Sequence, residues 1–270
     1  MYCKPNCNNP TTNYSSLKAC KPQKSPCPYS FYPVVCPVQL LIPIIIITGA
    51  LTAFGLGKLT AAGALAGAIL AWLLYQGAGI TGLCMLAVFF ITGVMATAMG
   101  YATKRRLGIA ENNKGRRTAG QVLANGGMAG AAGALAWCFP QQVYLWQPVA
   151  AAALSSACAD TLSSELGSLY GKQFYNILTF KKDTRGLDGV VSLEGFLCGL
   201  AGSALIAMIY SAGYGYTGHA LWIIAAGTAG NLADSLLGAK LERKGILSNN
   251  LVNALNTLIA ALAILLLMYF

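Results

Sequence analysis

Apolar segments of about 20 residues take up most of this chain, and a helix needs about that length to cross the hydrocarbon core of a bilayer. Eight segments qualify approximately, at 38–56, 59–76, 80–102, 121–138, 146–166, 192–212, 217–238 and 250–270. Only 10% of the residues are charged, against about 25% in an ordinary soluble domain. The sequence therefore predicts an all-α protein, a polytopic transmembrane helical bundle of about eight spans.

Lysine and arginine residues lie in alternate connections between these segments. The connections that carry them hold Lys58, six residues between 104 and 117, four between 172 and 185, and three between 240 and 244, and the other three connections hold none. The positive-inside rule assigns the charged connections to the cytoplasm. We therefore expect an integral membrane protein, in the cell membrane, with both termini extracytoplasmic. The net charge of +10 then reflects membrane orientation, and no nucleic-acid partner is expected.

Residues 1–37 differ from the rest of the chain and contain five of its nine cysteines, Cys3, Cys7, Cys20, Cys27 and Cys36. In an extracytoplasmic tail, cysteines can form disulfides, and an odd number leaves one over. A poorly ordered tail and a metal site are the alternatives. We divide the chain into this Cys-rich extracytoplasmic tail, 1–37, and a transmembrane catalytic bundle, 38–270.

Carboxylates occur in three of the apolar stretches, as Asp160 with Glu165, as Glu194 and as Asp234. A charged side chain at the centre of a span costs about 2.5–3.5 kcal/mol on insertion scales, so such residues mark sites. Asp160 and Glu165 lie about 140° apart on an ideal helix. Both can face one ion only if the helix ends or bends nearby, and Gly167 favours an end there.

Amides and hydroxyls stand close to these acids along the spans. Gln121 and Asn125 lie four residues apart on one helix face, and the other candidates are Ser164, Ser192, Asn231 and Asn253. By the predicted topology, these residues and the acids lie toward the cytoplasmic ends of their spans. We expect them to converge on one hydrated cleft that faces the cytoplasm.

Basic residues border the predicted cleft, and phosphate is the group that Arg and Lys match in charge and geometry. The candidates are Arg116, Arg117, Lys181, Lys182 and Arg185. Some of them are expected to bind phosphate, and the others to serve only in membrane orientation. A triphosphate could not engage all of the positive charges that border one cleft.

The donor atoms of the cleft favour a hard divalent cation. Carboxylates with amides and hydroxyls, and with no histidine among them, indicate magnesium rather than zinc or iron. We assign Asp160, Glu165 and Asp234 as its ligands, with Glu194 beside them in the catalytic set. A metal site, basic side chains and glycines that allow close approach together suit the binding of a nucleotide triphosphate. The acceptor would arrive from the lipid bilayer, and we expect it to enter sideways along spans four to seven.

Four motifs carry a resemblance to a known family. They are residues 115–127, 159–167, 189–195 and 230–239, in that order along the chain. From about Ile44 onward the sequence resembles the integral-membrane family that includes plant phytyl-phosphate kinase, itself similar to the dolichol and phytol kinases. The resemblance implies transfer of phosphate from a nucleotide, CTP in the studied relatives, to a prenyl alcohol or prenyl monophosphate. Two departures concern the substrate: the Cys-rich tail lies outside the resemblance, and 181–187 lacks the expected proline-glycine character.

Three functions remain open at this point. The first is a magnesium- and CTP-dependent prenyl-phosphate kinase with an isoprenoid lipid acceptor. The second is a related lipid nucleotidyltransferase, and the third is a transporter or flippase of an anionic lipid or ion. A transporter needs polar groups along both halves of its path, and the outer halves of the spans are nearly bare of them. The sequence gives no oligomeric state.

Overall fold

The computed structural model describes residues 37–109, 115–215 and 218–269, so the predicted Cys-rich tail lies outside the described residues except for Pro37. Within these ranges the helices are α1 (Pro37–Gly55), α2 (Ala61–Ala98), α3 (Tyr101–Arg106), α4 (Ala119–Cys138), α5 (Val143–Tyr170), α6 (Leu193–Tyr214), α7 (His219–Leu237) and α8 (Asn249–Tyr269). A two-residue hairpin, β1 (Tyr175–Asn176) antiparallel to β2 (Val190–Val191), lies between α5 and α6. The prediction of an all-α membrane bundle is confirmed.

Four stretches of the described chain are long and apolar enough to cross a membrane on their own. They are α2, α6, α7 with its extension to Glu242, and α8. Helices α4 and α5 pass the same test together, with a bend of 120° at the short turn Pro140–Gln142 between them. The described apolar part of α1, Leu41–Gly55, is shorter. The figure of about eight spans stays a prediction.

Helix α2 turns back on itself at Gly79. Its 38 residues would extend about 57 Å if straight, well beyond a hydrocarbon core of about 30 Å. Gly79 has φ 59° and ψ −154°, which only glycine adopts readily. A Cβ added at Gly63 would lie 2.8 Å from the Arg117 carbonyl oxygen, and one at Gly93 would lie 2.6 Å from Arg117 Nη2. Both ends of α2 therefore lie next to Arg117. The two halves of α2 correspond to predicted spans two and three.

Helix α5 is the central helix of the bundle. Every residue from Pro148 to Ala159 is buried, and Ala150 to Ala153 have no exposed surface. Helices α2, α4, α6, α7 and α8 all pack against α5. Most of its buried side chains are Ala, Ser or Cys, which let neighbouring helices approach closely where lipid removes the hydrophobic preference between them. The position of Asp160, directly after this column, is thereby fixed at the centre of the molecule.

Glycines bring α6 directly against α5. A Cβ at Gly195 would lie 2.9 Å from the Ser163 carbonyl oxygen, and one at Gly199 would lie 3.0 Å from that of Ala159. The same holds between α2 and α4, where a Cβ at Gly133 would lie 2.7 Å from the Leu73 carbonyl oxygen. The close helix packing expected from the glycine spacing is present at these crossings.

We predict that Gly133→Val destabilises the bundle, because its side chain would meet the α2 backbone. Overpacking of this kind costs about 1–3 kcal/mol. Gly127→Val is the matched control, since Gly127 lies on the same helix and no atom lies within 4 Å of a Cβ built there. Denaturant unfolding of both proteins in detergent micelles measures the difference. Equal free energies of unfolding would contradict the close α2–α4 contact.

Candidate active site

A polar cavity of about 340 Å³ lies where α4, α5, α7 and α8 meet the connection between α5 and α6. Most of the residues that we predicted from the sequence line it. These are Arg117, Gln121, Asn125, Asp160, Ser164, Glu165, Ser192, Asn231, Asp234 and Asn253. The expected convergence of polar residues from separate spans is therefore present as one cavity.

Asp160 of α5 and Asp234 of α7 form the centre of this cavity, and their carboxyl groups lie within hydrogen-bonding reach of each other. Two adjacent carboxylates repel unless a proton or a cation compensates them. Asp234 Oδ2 accepts from Asn256 Nδ2 at 2.9 Å, and Asn256 Oδ1 accepts from Ser156 Oγ at 2.9 Å. This chain of bonds links α5, α8 and α7 and fixes the orientation of Asp234.

Sequence analysis missed the role of Asn256, which is fully buried. It lies on the same face of α8 as Asn253, three residues on, and Asn249, so the signal was the run of amides at helical spacing. Asn253 lines the cavity and donates to Asn249 Oδ1 at 3.5 Å. The first turns of α8 thus supply amides both to the cavity and to the carboxylate behind it.

Asn125 presents an oxygen without a partner. Its Nδ2 donates to the Gln121 carbonyl oxygen at 3.0 Å, which sets the orientation of the amide. Its Oδ1 is buried and accepts no hydrogen bond, although such atoms are normally satisfied. The Gln121 side chain also caps α4, because its Oε1 accepts from the Thr118 backbone N–H at 2.9 Å. The cavity wall at α4 therefore offers an unpaired acceptor to whatever binds there.

Glu165 lines the cavity but is also bound by neighbours that sequence analysis did not identify. It accepts from Thr97 Oγ1 at 2.8 Å and forms an ion pair with Lys104 of α3. The Lys104 side chain is 2% exposed and also donates to the Ala96 carbonyl oxygen at 2.9 Å. The pair attaches α3 and the end of α2 to α5.

The expected helix end at Gly167 was wrong, because α5 continues to Tyr170. Glu165 therefore keeps its angular separation from Asp160 on one unbroken helix. Gly167 serves packing instead, since a Cβ there would lie 2.7 Å from Gly195 Cα. The assignment of Glu165 as a metal ligand stays a prediction.

Of the five basic residues predicted to bind phosphate, Arg117 lines the cavity and the other four do not. Arg117 is 9% exposed, lies 5.5 Å from the Phe89 ring and interacts electrostatically with Asp160. Arg116 Nε donates to the Leu59 carbonyl oxygen at 2.9 Å, and Arg185 Nη2 donates to that of Gly171 at 2.8 Å. Lys181 and Lys182 are exposed on the connection between α5 and α6 and do not line the cavity.

Glu194, predicted to be catalytic, lies outside the cavity. It stands in the first turn of α6, and its carboxylate accepts from the Lys172 backbone N–H at 3.4 Å. Ser192 is the N-cap that we expected, accepting from the Gly195 backbone N–H at 3.1 Å, and it does line the cavity. The start of α6 thus contributes a hydroxyl rather than a carboxylate.

Two further acids, Asp188 and Glu242, line the cavity and were not assigned from the sequence. Glu242 ends the π-helical turn Gly238–Glu242, which follows α7. A π-helical turn shifts the angular position of the residues after it, so the helical spacing from Asp234 did not reveal Glu242. In the sequence it stands among Lys240, Arg243 and Lys244 and looks like part of a basic loop.

The connection from 171 to 192 covers one side of the cavity and is held by Arg243. This arginine donates to the Asp188 carbonyl oxygen at 2.7 and 3.2 Å and to Asp183 Oδ2 at 2.9 Å. The hydrogen bond from Arg243 lowers the pKa of the Asp183 carboxyl, so this pair persists at pH values where a free aspartate would already protonate. Gly189, at φ 70°, lets the connection touch Ala239 of the π-helical turn.

The described residues contain no group of three or more His, Cys, Asp or Glu side chains placed to hold a metal ion. A site for a hard cation would therefore rest on the Asp160–Asp234 pair together with amide oxygens. The unpaired Asn125 Oδ1 fits such a site, because amide oxygens and carboxylates are the donors that magnesium and calcium take.

Comparison with known proteins identifies the family. Residues 44–261 match the family described as integral membrane protein DUF92. The chain belongs to this family. This finding confirms the predicted resemblance, and the match begins at Ile44, where we placed the start of that resemblance. No solved structure matches the chain.

Individual DUF92-like relatives come from plants, cyanobacteria and archaea. Uncharacterized membrane protein sll0875 of Synechocystis is 37% identical over 219 residues, covering 78% of this chain and 80% of that protein. Protein VTE6, chloroplastic, of Arabidopsis thaliana is 33% identical over 225 residues, covering 78% of this chain and 66% of that protein. Uncharacterized membrane protein MJ0933 of Methanocaldococcus jannaschii is 33% identical over 205 residues, covering 74% and 82%.

We predict that Lys104→Met destabilises the fold by about 3 kcal/mol, since removing one partner of a buried ion pair leaves the other charge uncompensated. The double variant Lys104→Met/Glu165→Gln should regain most of that loss. Lys182→Met, at an exposed lysine, is the control and should be neutral. Denaturant unfolding in micelles provides the free energies. A double variant as unstable as Lys104→Met would show that the two side chains act independently.

Proposed function

We propose that this protein is a magnesium- and nucleotide-dependent prenyl-phosphate kinase embedded in the membrane, working at the cytoplasmic leaflet. The observation that carries the proposal is the Asp160–Asp234 pair, which shares one polar cavity with Arg117 and with the unpaired amide oxygen of Asn125. Carboxylates for a metal and a buried guanidinium for phosphate are the parts that phosphoryl transfer requires, because it depends on positioning and on charge stabilisation. The buried acids would then bind the metal rather than serve helix packing alone.

The metal would be held by Asp160 and Asp234, with the amide oxygen Oδ1 of Asn125 as a further ligand. Magnesium commonly takes one or two protein carboxylates and completes its shell with water and substrate phosphates, so a pair of aspartates is sufficient. When bound, the ion would neutralise charge on the transferring phosphoryl group. Asn256 acts behind this pair and keeps Asp234 turned toward the cavity. Glu165, which we also predicted to be a metal ligand, and Glu242 line the same cavity and would orient water within it.

Arg117 would bind a phosphate oxygen. A guanidinium can contact two oxygens of one phosphate at once. Arg117 sits on the side of the cavity formed by α2 and α4, and Asp160 lies on the neighbouring wall formed by α5. The stacking of Arg117 on Phe89 limits its movement. We assign the other predicted basic residues to the structure of the loops and to membrane orientation.

The family supports the choice of reaction. The sequence resemblance to the family that includes plant phytyl-phosphate kinase supports this chemistry for a chain that is 33% identical to protein VTE6 of Arabidopsis thaliana. The phosphate donor is proposed to be CTP and the acceptor an isoprenoid monophosphate, with the corresponding alcohol as the alternative acceptor. An acceptor of this kind keeps its chain in the bilayer and brings a small polar head to the cavity.

Purified protein, incubated with γ-labelled CTP, magnesium and a panel of prenyl acceptors, tests the reaction. Transfer of label to the lipid with formation of CDP supports the kinase. Release of pyrophosphate, with the nucleotide attached to the lipid, would identify a lipid nucleotidyltransferase instead. Absence of any magnesium-dependent turnover, with lipid or ion movement in proteoliposomes, would favour the transporter.

We predict that Asp160→Asn and Asp234→Asn each reduce turnover by at least about 100-fold, because each removes a charge that the metal requires. Both changes keep the side-chain shape, so membrane insertion and the gel-filtration profile should be normal. Glu194→Gln tests the sequence-based assignment of Glu194 to the catalytic set. Since Glu194 lies outside the cavity, we expect this variant to keep most of its turnover. Near-normal activity of both aspartate variants would refute the site.

We predict that acceptors are graded by chain length. Each buried methylene contributes about 0.8 kcal/mol, so a long prenyl chain concentrates the acceptor in the bilayer and in any apolar site on the protein. Turnover at fixed CTP should rise from five- through ten- and fifteen- to twenty-carbon monophosphates. A flat or inverted series would contradict lateral entry from the membrane.

A further inference from the structure

An apolar groove of about 600 Å³ lies between α1, the two halves of α2, and α4. Small-molecule sites commonly measure about 300–1,000 Å³. Side chains such as Ile46, Leu70, Leu86 and Phe90 form its walls. Ile91 and Met95 line the groove and are more than half exposed, so it is open to the surrounding hydrocarbon. We expected an acceptor path along spans four to seven, which correspond to α4 to α7. Of these helices, α4 lines this groove, and α5 to α7 do not.

Arg117 joins the groove to the polar cavity, since it is the residue that lines both among the described part of the chain. Helix α4 separates them elsewhere. Gln121 and Asn125 face the cavity, whereas Val122 and Gly126, the next residue in each case, face the groove. The two spaces therefore lie on opposite sides of the first turns of α4 and meet at the residue that precedes its N-cap.

The groove is charged at one end and apolar along the rest. Lys58 and Arg117 are the charged residues among its described lining, and they adjoin, because the Arg117 backbone N–H donates to the Lys58 carbonyl oxygen at 2.9 Å. A groove that is filled only by bulk lipid chains has no need of cationic residues. A molecule with one anionic head and a long apolar chain would match both parts of the groove, the head at the cations and the chain along the helices.

We infer that this groove is the binding site of the acceptor's prenyl chain, with the phosphate head between Lys58 and Arg117 at the edge of the cavity. This inference rests on the proposed kinase function and adds to it a location and a route. The head then reaches the Asp160–Asp234 pair past Arg117, while the chain stays between α1 and α2. Helix α1, whose outer face is exposed at Ile44, Ile47 and Leu51, forms the wall between the chain and the bulk lipid.

Two glycines allow the groove to be filled without disturbing the packing. A Cβ at Gly49 would have no atom within 4 Å, and one at Gly67 would meet Leu59 Cδ1 at 4.0 Å, and both residues line the groove. We would make Gly49→Phe and Gly67→Phe. The matched controls are Gly55→Phe on α1 and Gly127→Phe on α4, where the added Cβ also has no atom within 4 Å and where neither residue lines the groove or the cavity.

The first readout is the ratio of kcat/KM for a twenty-carbon monophosphate to that for a five-carbon monophosphate. A filled groove should lower this ratio by about tenfold, which corresponds to the loss of about two buried methylenes. The control variants should keep the ratio of the unmodified protein. An unchanged ratio in both groove variants, with normal kinase activity, would overturn the groove assignment and leave the proposed function intact.

The second readout does not depend on turnover. A fifteen-carbon prenyl monophosphate with a terminal diazirine is cross-linked to the full-length protein in micelles without nucleotide, and the modified peptides are mapped. Labelling on α1 and α2, competed by unlabelled prenyl monophosphate and reduced in Gly67→Phe, supports the assignment even if no phosphate transfer is found. Labelling elsewhere, or competition by ordinary phospholipid to the same degree, would show that bulk lipid fills the groove and would overturn it.

The head position has its own test. Lys58→Ala should raise the KM for the prenyl monophosphate by about tenfold, as expected for loss of a charged contact, and should leave the KM for CTP within twofold. Lys244→Ala, at an exposed lysine outside both spaces, is the control. An equal rise in both KM values for Lys58→Ala would place Lys58 in general site structure rather than at the acceptor head.

Discussion

The column of small side chains in α5 is the constraint on which the rest of the structure depends. Alanine, serine and cysteine leave room for five other helices to pack on one helix, and the bilayer offers no hydrophobic gain that could replace this close contact. The fully buried column ends at Asp160, close to the terminal turns of α4, α7 and α8 that line the cavity, while α6 stays packed on α5 as far as Gly167. The central carboxylate of the cavity therefore belongs to the packing helix itself. Changes in the column would therefore move the site as well as the bundle.

Arg117 stands between two different environments, and its contacts reflect both. Its guanidinium lies against Phe89 and acts on Asp160, while its backbone forms a bridge with Leu59 at the start of α2. Because its position is fixed, the Arg117 guanidinium can hold an anion at the boundary between the groove and the cavity. In the proposed reaction it would keep the phosphate head of the acceptor near the carboxylate pair, whatever the length of the prenyl chain.

Much of the fold and part of the site followed from the sequence. The apolar segments gave the helices to within a few residues, and the gap between spans two and three marked the reversal at Gly79. The cavity residues were found where polar side chains share a helix face at one end of a span, as Asn125 and Asn253 do. These signals are local, and helical spacing alone is enough to detect them.

The remaining features depend on contacts between distant segments, which a single sequence does not reveal. Glu165 meets Lys104, 61 residues earlier in the chain. Arg116 is held by the Leu59 carbonyl of another loop, and Arg185 by the Gly171 carbonyl at the start of its own connection. The sequence shows Asn256 as an amide on a polar helix face. Its hydrogen bond to Asp234 can be identified only when the position of α7 is known. Glu242 enters the cavity through a π-helical turn whose sequence resembles a basic loop.

The burial of Lys104 and Arg117 has a consequence for how the protein is made. Between Lys58 and Lys104 the chain contains no charged residue, so both halves of α2 lie within one uncharged stretch with a cation at each end. Basic residues beside spans set their orientation during insertion, before any tertiary contact exists. After folding, Lys104 and Arg117 are withdrawn into the protein. By the positive-inside rule we expect the same side chains to serve first as orientation signals during insertion and later as buried groups of the folded protein. The first role would then constrain which residues can fill the second.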